Sequence, residues 1–303
     1  MTNKIIAKID NVNLGAHFCN MSVIDVNDNS INIKLDPEEL EKLEVGKVYV
    51  FEYLTTVQEP RDLHTLTKAS PVEDVLEDEE LNEVLSKLYE YAPIDRSEIK
   101  KRIEVYLNKI ENETIKLITD ELYKKYYNKF YVHPAATKFH HAYVGGLAYH
   151  TLTMLDIASP MLDVYTYLNK DLVYSGILIH DMAKIDEMTG VDGEYTKEGQ
   201  LIGHLVMISM EIDKIAIKHN VENTEEVLLL KHIVLAHHGV LHFGSPKKPQ
   251  IGEALLIWYI DTIDSKFATL GDVYEETLEG QFTQSVPVLD RMRFYKSTIK
   301  NKK

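Results

Sequence analysis

Hydrophobic and polar residues change rhythm once along this chain, near residue 70. Before that point the apolar residues come in short runs rich in Val, Ile, Thr, Tyr and Phe: KIIAKI, FCNMSVIDV, SINIKL, KVYVFEYLTTV and LHTLTKA. Such runs, separated by turn-forming residues, predict strands. The turns fall at Asn11 to Gly15, at Asp28–Asn29 and at Gly46. DPEELEKL (36–43) predicts a short helix, with Asp36 as N-cap and Pro37 at the first helical position. PVEDVLEDEE (71–80) is an acidic linker. From about residue 80 the apolar positions recur at helical spacing. One helix covers 81–92 and stops before Pro93. Ser97 then caps a long segment to about Tyr127, carried by Ile99, Ile103, Leu107, Ile110, Ile115, Ile118 and Leu122. Further helices are predicted at 142–158, 170–183, 200–219, 224–237 and 251–270, with loops at 193–199 and 242–250. The closing run RMRFYKSTIKNKK is basic and predicts a solvated, fraying tail, or else a phosphate contact.

Five short strands with a helix between the third and fourth suit a small OB-type barrel. The expected fold is therefore α+β multidomain: an OB-like β-domain over 1–70, a helical linker region over 71–129, and an all-α bundle over 130–303. A hydrophobic content of 45% with 27% charged residues fits an ordinary globular chain. Cys19 has no partner for an internal disulfide, which suits a reducing cytoplasm. The start MTNKIIAKID is no secretory signal, and no stretch approaches the ~20 apolar residues of a membrane span. A formal net charge of −15 argues against bulk electrostatic attraction to nucleic acid. Bound divalent cations would offset that charge where an anionic substrate sits. The β-region lacks the spaced aromatic and basic residues of a stacking platform. Phe18, Tyr49, Phe51 and Tyr53 are present, but alternation along KVYVFEYL would bury some of them. That leaves RNA binding and assembly both open as its role.

The chemical signal lies in the helical half. Of 13 histidines, 11 fall between His133 and His242. His150 lies in GGLAYHT, His180–Asp181 in LIHDMAK, His204 in GHLVM, and His237–His238 in LAHHG. Asp261 and Asp264 lie three apart in LLIWYIDTID, on one helix face. Each group comes from a different predicted helix and sits among apolar residues, where an unpaired polar group is costly to bury. Convergence on a metal removes that cost. Imidazole and carboxylate suit Mn, Fe, Co, Ni or Zn, and one bridging carboxylate flanked by histidines can hold two ions. Of Asp261 and Asp264, one is expected to be a ligand and the other its hydrogen-bonding partner. His17, His64, His219 and His232 are expected to be hydrogen-bonded structural residues.

The order His150, His180–Asp181, Asp261 resembles the HD superfamily of metal-dependent phosphohydrolases, and the extra His204 and His237–His238 resemble its two-metal members. FHHAYVGGLAYHT, HDMAK and HHGVLHFGSPKKPQIGEALLIWYIDTIDSKF resemble the YhaM family of 3′-to-5′ exoribonucleases, which joins an OB-fold to an HD domain. The resemblance implies one ion on His150, His180, Asp181 and Asp261. It implies a second on His204, His237 and His238, with Asp181 bridging. Lys184, three residues after Asp181, would contact substrate phosphate. His140 and His141 are candidates for the leaving-group acid or, equally, for side chains that only support the ligands from behind. Lys247 and Lys248 of the GSPKKP loop, with His133 and Lys138, would touch the RNA backbone. His242 stands where relatives commonly carry an acidic residue. The implied cofactors are two divalent ions, Mn²⁺ first, the implied partner is single-stranded RNA or an oligonucleotide, and a homo-oligomer is expected. Three other functions fit parts of the pattern: a phosphohydrolase of a small nucleotide, a di-iron oxygenase, and a non-catalytic nucleic-acid binder, the last disfavoured by so many buried polar groups.

Overall fold

A computed structural model describes residues 2–15, 18–58, 62–137, 141–240 and 244–300, the side chains of 73, 78, 79 and 82 excepted. His17, Lys138, His140 and His242 lie outside the described residues.

Strands β1 (Thr2–Gly15), β2 (Phe18–Asp25), β3 (Ser30–Lys34), β4 (Val48–Thr56) and β5 (Leu63–Pro71) close a barrel in the order β1-β2-β3-β5-β4. Every pairing is antiparallel except β3 with β5, which run parallel at Ile33↔His64. Helix α1 (Pro37–Leu40) lies between β3 and β4, as expected. The turn expected at Asn11 to Gly15 does not form. A bulge between Ile9 and Asn11 restores the register, and β1 continues until Gly15 faces Phe18. Asn11 and Asn13 point to solvent while Val12 packs inward. What reads as turn chemistry is the outward face of a strand.

β4 is buried on both faces. Tyr49, Phe51 and Tyr53 fill the barrel with Ile9, Met21 and Ile33. Val48 and Val50 face outward onto Val72 and onto Leu88 of α2 (Asp78–Leu88). These three aromatics are core and offer no stacking surface; Phe18 remains exposed.

The long segment after Ser97 is two helices, α3 (Arg96–Leu107) and α4 (Glu113–Phe130). Asp95, not Ser97, caps the first, accepting the Ser97 amide at 2.7 Å. Asn112 caps the second by accepting the Ile115 amide at 3.0 Å. Such side chains offer the backbone an alternative to continued helix. The apolar spacing hid the break because both helices and the intervening Ile110 feed one core.

That core is shared by α5 (Gly146–Val164), α6 (Lys170–Ile179), α9 (His204–Lys218), α10 (Glu225–Ala236) and α11 (Gly252–Glu276), with short helices α7 (Lys184–Glu187) and α8 (Lys197–Leu201) between α6 and α9. The barrel meets the helices through Lys8, whose ammonium reaches Asp192 at 2.5 Å and the Leu88 carbonyl at 3.0 Å, and through Tyr89, whose hydroxyl donates to the Gly46 carbonyl at 2.6 Å.

The closing basic run is ordered up to Lys300 rather than frayed. Phe282 bridges Tyr295 and Val286 bridges Met292. Val286 and Leu289 are buried. Lys296 donates to the carbonyls of Tyr274 and Thr277 at the end of α11, where a cation is favoured by unsatisfied carbonyls. Val286 and Leu289, just before the basic run, anchor the segment, while Met292, Tyr295 and Ile299 within it are exposed.

Candidate metal centre

Five helices bring their polar residues to one buried point. α5 starts where two glycines allow close approach: a Cβ on Gly146 would lie 1.9 Å from the His141 carbonyl oxygen. His150 follows one turn in. His180 caps the C-terminal end of α6, and Asp181 follows it. His204 opens α9. His237 caps the C-terminal end of α10. Asp261 and Asp264 lie on the inner face of α11.

Asp181 is the centre. Its Oδ2 lies 3.2 Å from His180 Nε2, 3.8 Å from His150 Nε2 and 2.8 Å from Lys184 Nζ. Its Oδ1 lies 3.3 Å from His204 Nε2 and 3.5 Å from His237 Nε2. His150 Nε2 also lies 3.4 Å from Asp261 Oδ1. The two oxygens of one carboxylate thus face two different sets of imidazoles.

Each imidazole is oriented through its other nitrogen. Nδ1 of His180 bonds the Ile177 carbonyl and Nδ1 of His237 the Val234 carbonyl, each at 2.8 Å. Nδ1 of His204 bonds Glu187 at 2.9 Å. Nδ1 of His150 bonds Asp264 Oδ2 at 2.6 Å. All four accept nothing at Nδ1, so the proton sits there and the Nε2 lone pair turns inward. The buried Nε2 atoms of His180, His204 and His237, and Asp181 Oδ1, make no hydrogen bond. Leaving each unsatisfied costs about 1–3 kcal/mol. Cations among them would relieve that cost, so the residues fit a metal.

An HD domain matches residues 147–266, a span that contains every one of these ligands. The chain is 40% identical over 213 residues to the 3′-5′ exoribonuclease YhaM of Geobacillus sp. (strain WCH70), covering 70% of this chain and 65% of that protein. It is 39% identical over 219 residues to the protein of the same name from Bacillus velezensis (strain DSM 23117 / BGSC 10A6 / LMG 26770 / FZB42), covering 72% of this chain and 69% of that one. The chain belongs to the YhaM family. It spans just under two thirds of the Geobacillus YhaM and slightly more of the Bacillus one.

Within this YhaM-family centre the charges are set by neighbours. Burial opposes ionising Asp181, but His180 and Lys184 hold its carboxyl well below the usual range. Burial, reinforced by adjacent His238, pushes His237 down to about 3, so it stays neutral with its lone pair available. Burial also disfavours protonated His150 and His204; Asp264 beside the first, and Asp181 and Glu187 beside the second, nevertheless raise them. Lys184 stays charged despite burial, because Asp181 is its partner. Its Nζ also donates to the Ala135 carbonyl at 2.8 Å.

The cluster opens into a cavity of about 360 Å³ lined by His150, Asp181, Lys184, His238, Asp261 and Trp258. Gly239, with φ +74°, lets Trp258 pack against the chain: a Cβ there would fall 1.9 Å from the indole.

Sequence-predicted residues divide into those the fold brings here and those it does not. His150, His180, Asp181, Lys184, His204, His237, His238 and Asp261 converge. His141 is buried behind them, its Nε2 2.8 Å from Asp264 Oδ2 and its Nδ1 2.7 Å from the Tyr143 hydroxyl. Its hydrogen bond to Asp264 fits the second of its two expected places, support behind the ligands. His133 is also buried, its ring against the carbonyls of Pro134 and Met188. It lines a separate cleft of about 730 Å³ with Glu44, Lys47 and Lys129, not the metal cavity. Lys247 and Lys248 are exposed outside the cavity lining. His64 and His232 are hydrogen-bonded, to Thr55 and to the Gln250 amide. Glu187, Trp258 and Lys266 were missed. Glu187 carries no spacing signal; it reaches His204 only because α7 folds back. Trp258 and Lys266 sit on the same helix as Asp261, three and five residues away, and helical phase could have placed them near the mouth.

Among the described residues, no helix is long and apolar enough to cross a membrane.

Proposed function

We propose that this chain is a metal-dependent 3′-to-5′ exoribonuclease acting on single-stranded RNA. The observation that carries the reading is the inward convergence of four Nε2 atoms on the two oxygens of Asp181, in a chain of this family. Two ion positions follow from the two faces of that carboxylate. One has His150, His180, Asp181 and Asp261; the other has Asp181, His204, His237 and His238. The ligand chemistry suits Mn²⁺, with Fe, Co, Ni or Zn as alternatives.

Divalent ions in such a site supply acidified water and neutralise phosphoryl charge. The chain's own residues do the rest. Asp181 orients both positions. Asp264 and Glu187 fix the tautomers of His150 and His204. Lys184, held by Ala135, presents its ammonium to the phosphoryl oxygens, where developing negative charge is stabilised. The family relationship does not favour a small-nucleotide phosphohydrolase or an oxygenase. The division into 1–70, 71–129 and 130–303 belongs to the same reading; separate apolar clusters in barrel and helices support its first boundary, whereas α3 and α4 share one core with the helices after 130. A homo-oligomer is carried by the family resemblance alone.

The test is direct. Metal-stripped protein is incubated with a 5′-labelled single-stranded RNA, with and without Mn²⁺, and the products are resolved by length. A metal-dependent ladder shortening from the 3′ end is expected. A folded, metal-loaded sample that leaves the RNA intact would overturn the reading.

A further inference from the structure

The metal cavity does not end at Trp258 and Lys266. A second cavity of about 330 Å³ adjoins it, and the two share Thr269 and Val288. Together they form one groove along α11. Its floor is one side of that helix, on which Ser265, Thr269 and Val273 recur every four residues, with Thr277 just past its end. Its wall is the ordered C-terminal segment from Gln284 to Val288.

Length and chemistry limit what fits. Asp261 to Thr277 spans about 24 Å of helix axis. A stacked single strand advances about 3.4 Å per nucleotide, so the groove has room for several. That is too long for one terminal residue. The second cavity is lined by the hydroxyls of Thr269, Thr277 and Ser285 and the amide of Gln284, set among Val273, Val286, Pro287 and Val288, with one carboxylate, Glu276. Neutral hydrogen-bonding groups suit ribose hydroxyls and base edges without selecting a sequence. Lys266, exposed at the metal end, supplies a cation where the first upstream phosphate would lie.

We propose that this groove holds the part of the RNA strand on the 5′ side of the scissile phosphate, and that the C-terminal segment is its wall. The proposal rests on the exoribonuclease reading. An enzyme removing residues from the 3′ end keeps little beyond the scissile phosphate and a long strand before it, which matches one long groove.

Two substitutions fill the far cavity from opposite sides: Val273→Trp in the floor and Gln284→Trp in the exposed wall. KM is measured with Mn²⁺ for a 12-nucleotide RNA and for a dinucleotide, whose length confines it to the metal end. Circular dichroism reports folding; if Val273→Trp unfolds, Gln284→Trp decides. The expected result is a KM for the 12-mer raised at least tenfold, with dinucleotide cleavage within twofold of wild type. An unchanged 12-mer KM, or equal damage to both substrates in folded protein, overturns the groove. Wild-type protein that cleaves neither substrate overturns the exoribonuclease reading instead, and the groove with it.

Discussion

Asp264→Asn isolates orientation from ligation. Asp264 is 5% exposed, and its Oδ2 accepts from both His150 Nδ1 at 2.6 Å and His141 Nε2 at 2.8 Å. It does not face Asp181; it holds the imidazole that does. Asparagine keeps the shape and one acceptor but removes the charge. Charge-assisted hydrogen bonds are roughly twice as strong as neutral ones, so the exchange weakens the hold on His150 by about 1–2 kcal/mol. Losses of such partners typically cost about 10–100-fold in metal affinity, or about 1.4–2.8 kcal/mol. One effect runs the other way: the Asp264 carboxylate raises His150, so losing it also reduces competition from protons. Working at pH 8 reduces that competition, and the orientation loss should dominate. The assay is isothermal titration of Mn²⁺ into metal-stripped protein at pH 8, with circular dichroism to confirm unchanged helices. Asp264→Asn with wild-type affinity would refute the assignment of Asp264 as the group that orients His150.

Three other outcomes are expected. Lys184→Ala should lower turnover on RNA by about 10²–10³ while metal content, measured by elemental analysis, is retained; loss of metal would show that its bond to Asp181 is structural. Gly239→Ala should lower the melting temperature by roughly 5 °C, since overpacking costs about 1–3 kcal/mol and a chain of this size loses about 2–4 °C per kcal/mol; an unchanged melt would mean Trp258 yields freely. Saturating Mn²⁺ at about 100 times Kd should stabilise the folded chain by about 2.7 kcal/mol, seen as a higher melting temperature that a chelator reverses; no shift in a sample shown to bind Mn²⁺ would mean that the ions do not hold the helices together.

Much of this molecule is written in local patterns, and the exceptions share a cause. The barrel strands and the helices from 142 onward follow from apolar period. So does the convergence of His150, His180–Asp181, His204, His237 and Asp261, because buried polar residues need a shared solution. The break between α3 and α4 was hidden, since Asn108 and Asn112 act through backbone bonds that leave the apolar spacing intact. The partner Glu187 was illegible as a partner: it acts through a tertiary contact across 17 residues. The burial of His133, its ring against two carbonyls, is not visible in its position beside a histidine-rich motif. The basic run is solvated as its charges suggest; what they concealed is the pairing of its backbone with 280–286.

The placement of these side chains at helix ends gives the two faces of Asp181 unequal electrostatics. α6 and α10 both terminate at the cluster, at His180 and His237, and each helix C-terminus carries about half a negative charge. α9 begins there, at His204, with about half a positive charge. Around His204 and His237 the two backbone fields oppose each other. Around His180 the negative end of α6 adds to the carboxylate of Asp261, while the Lys184 ammonium, 2.8 Å from the same oxygen of Asp181, acts against them. The two sides of a single carboxylate thus lie in different fields, and two cations bound there would not be held equally.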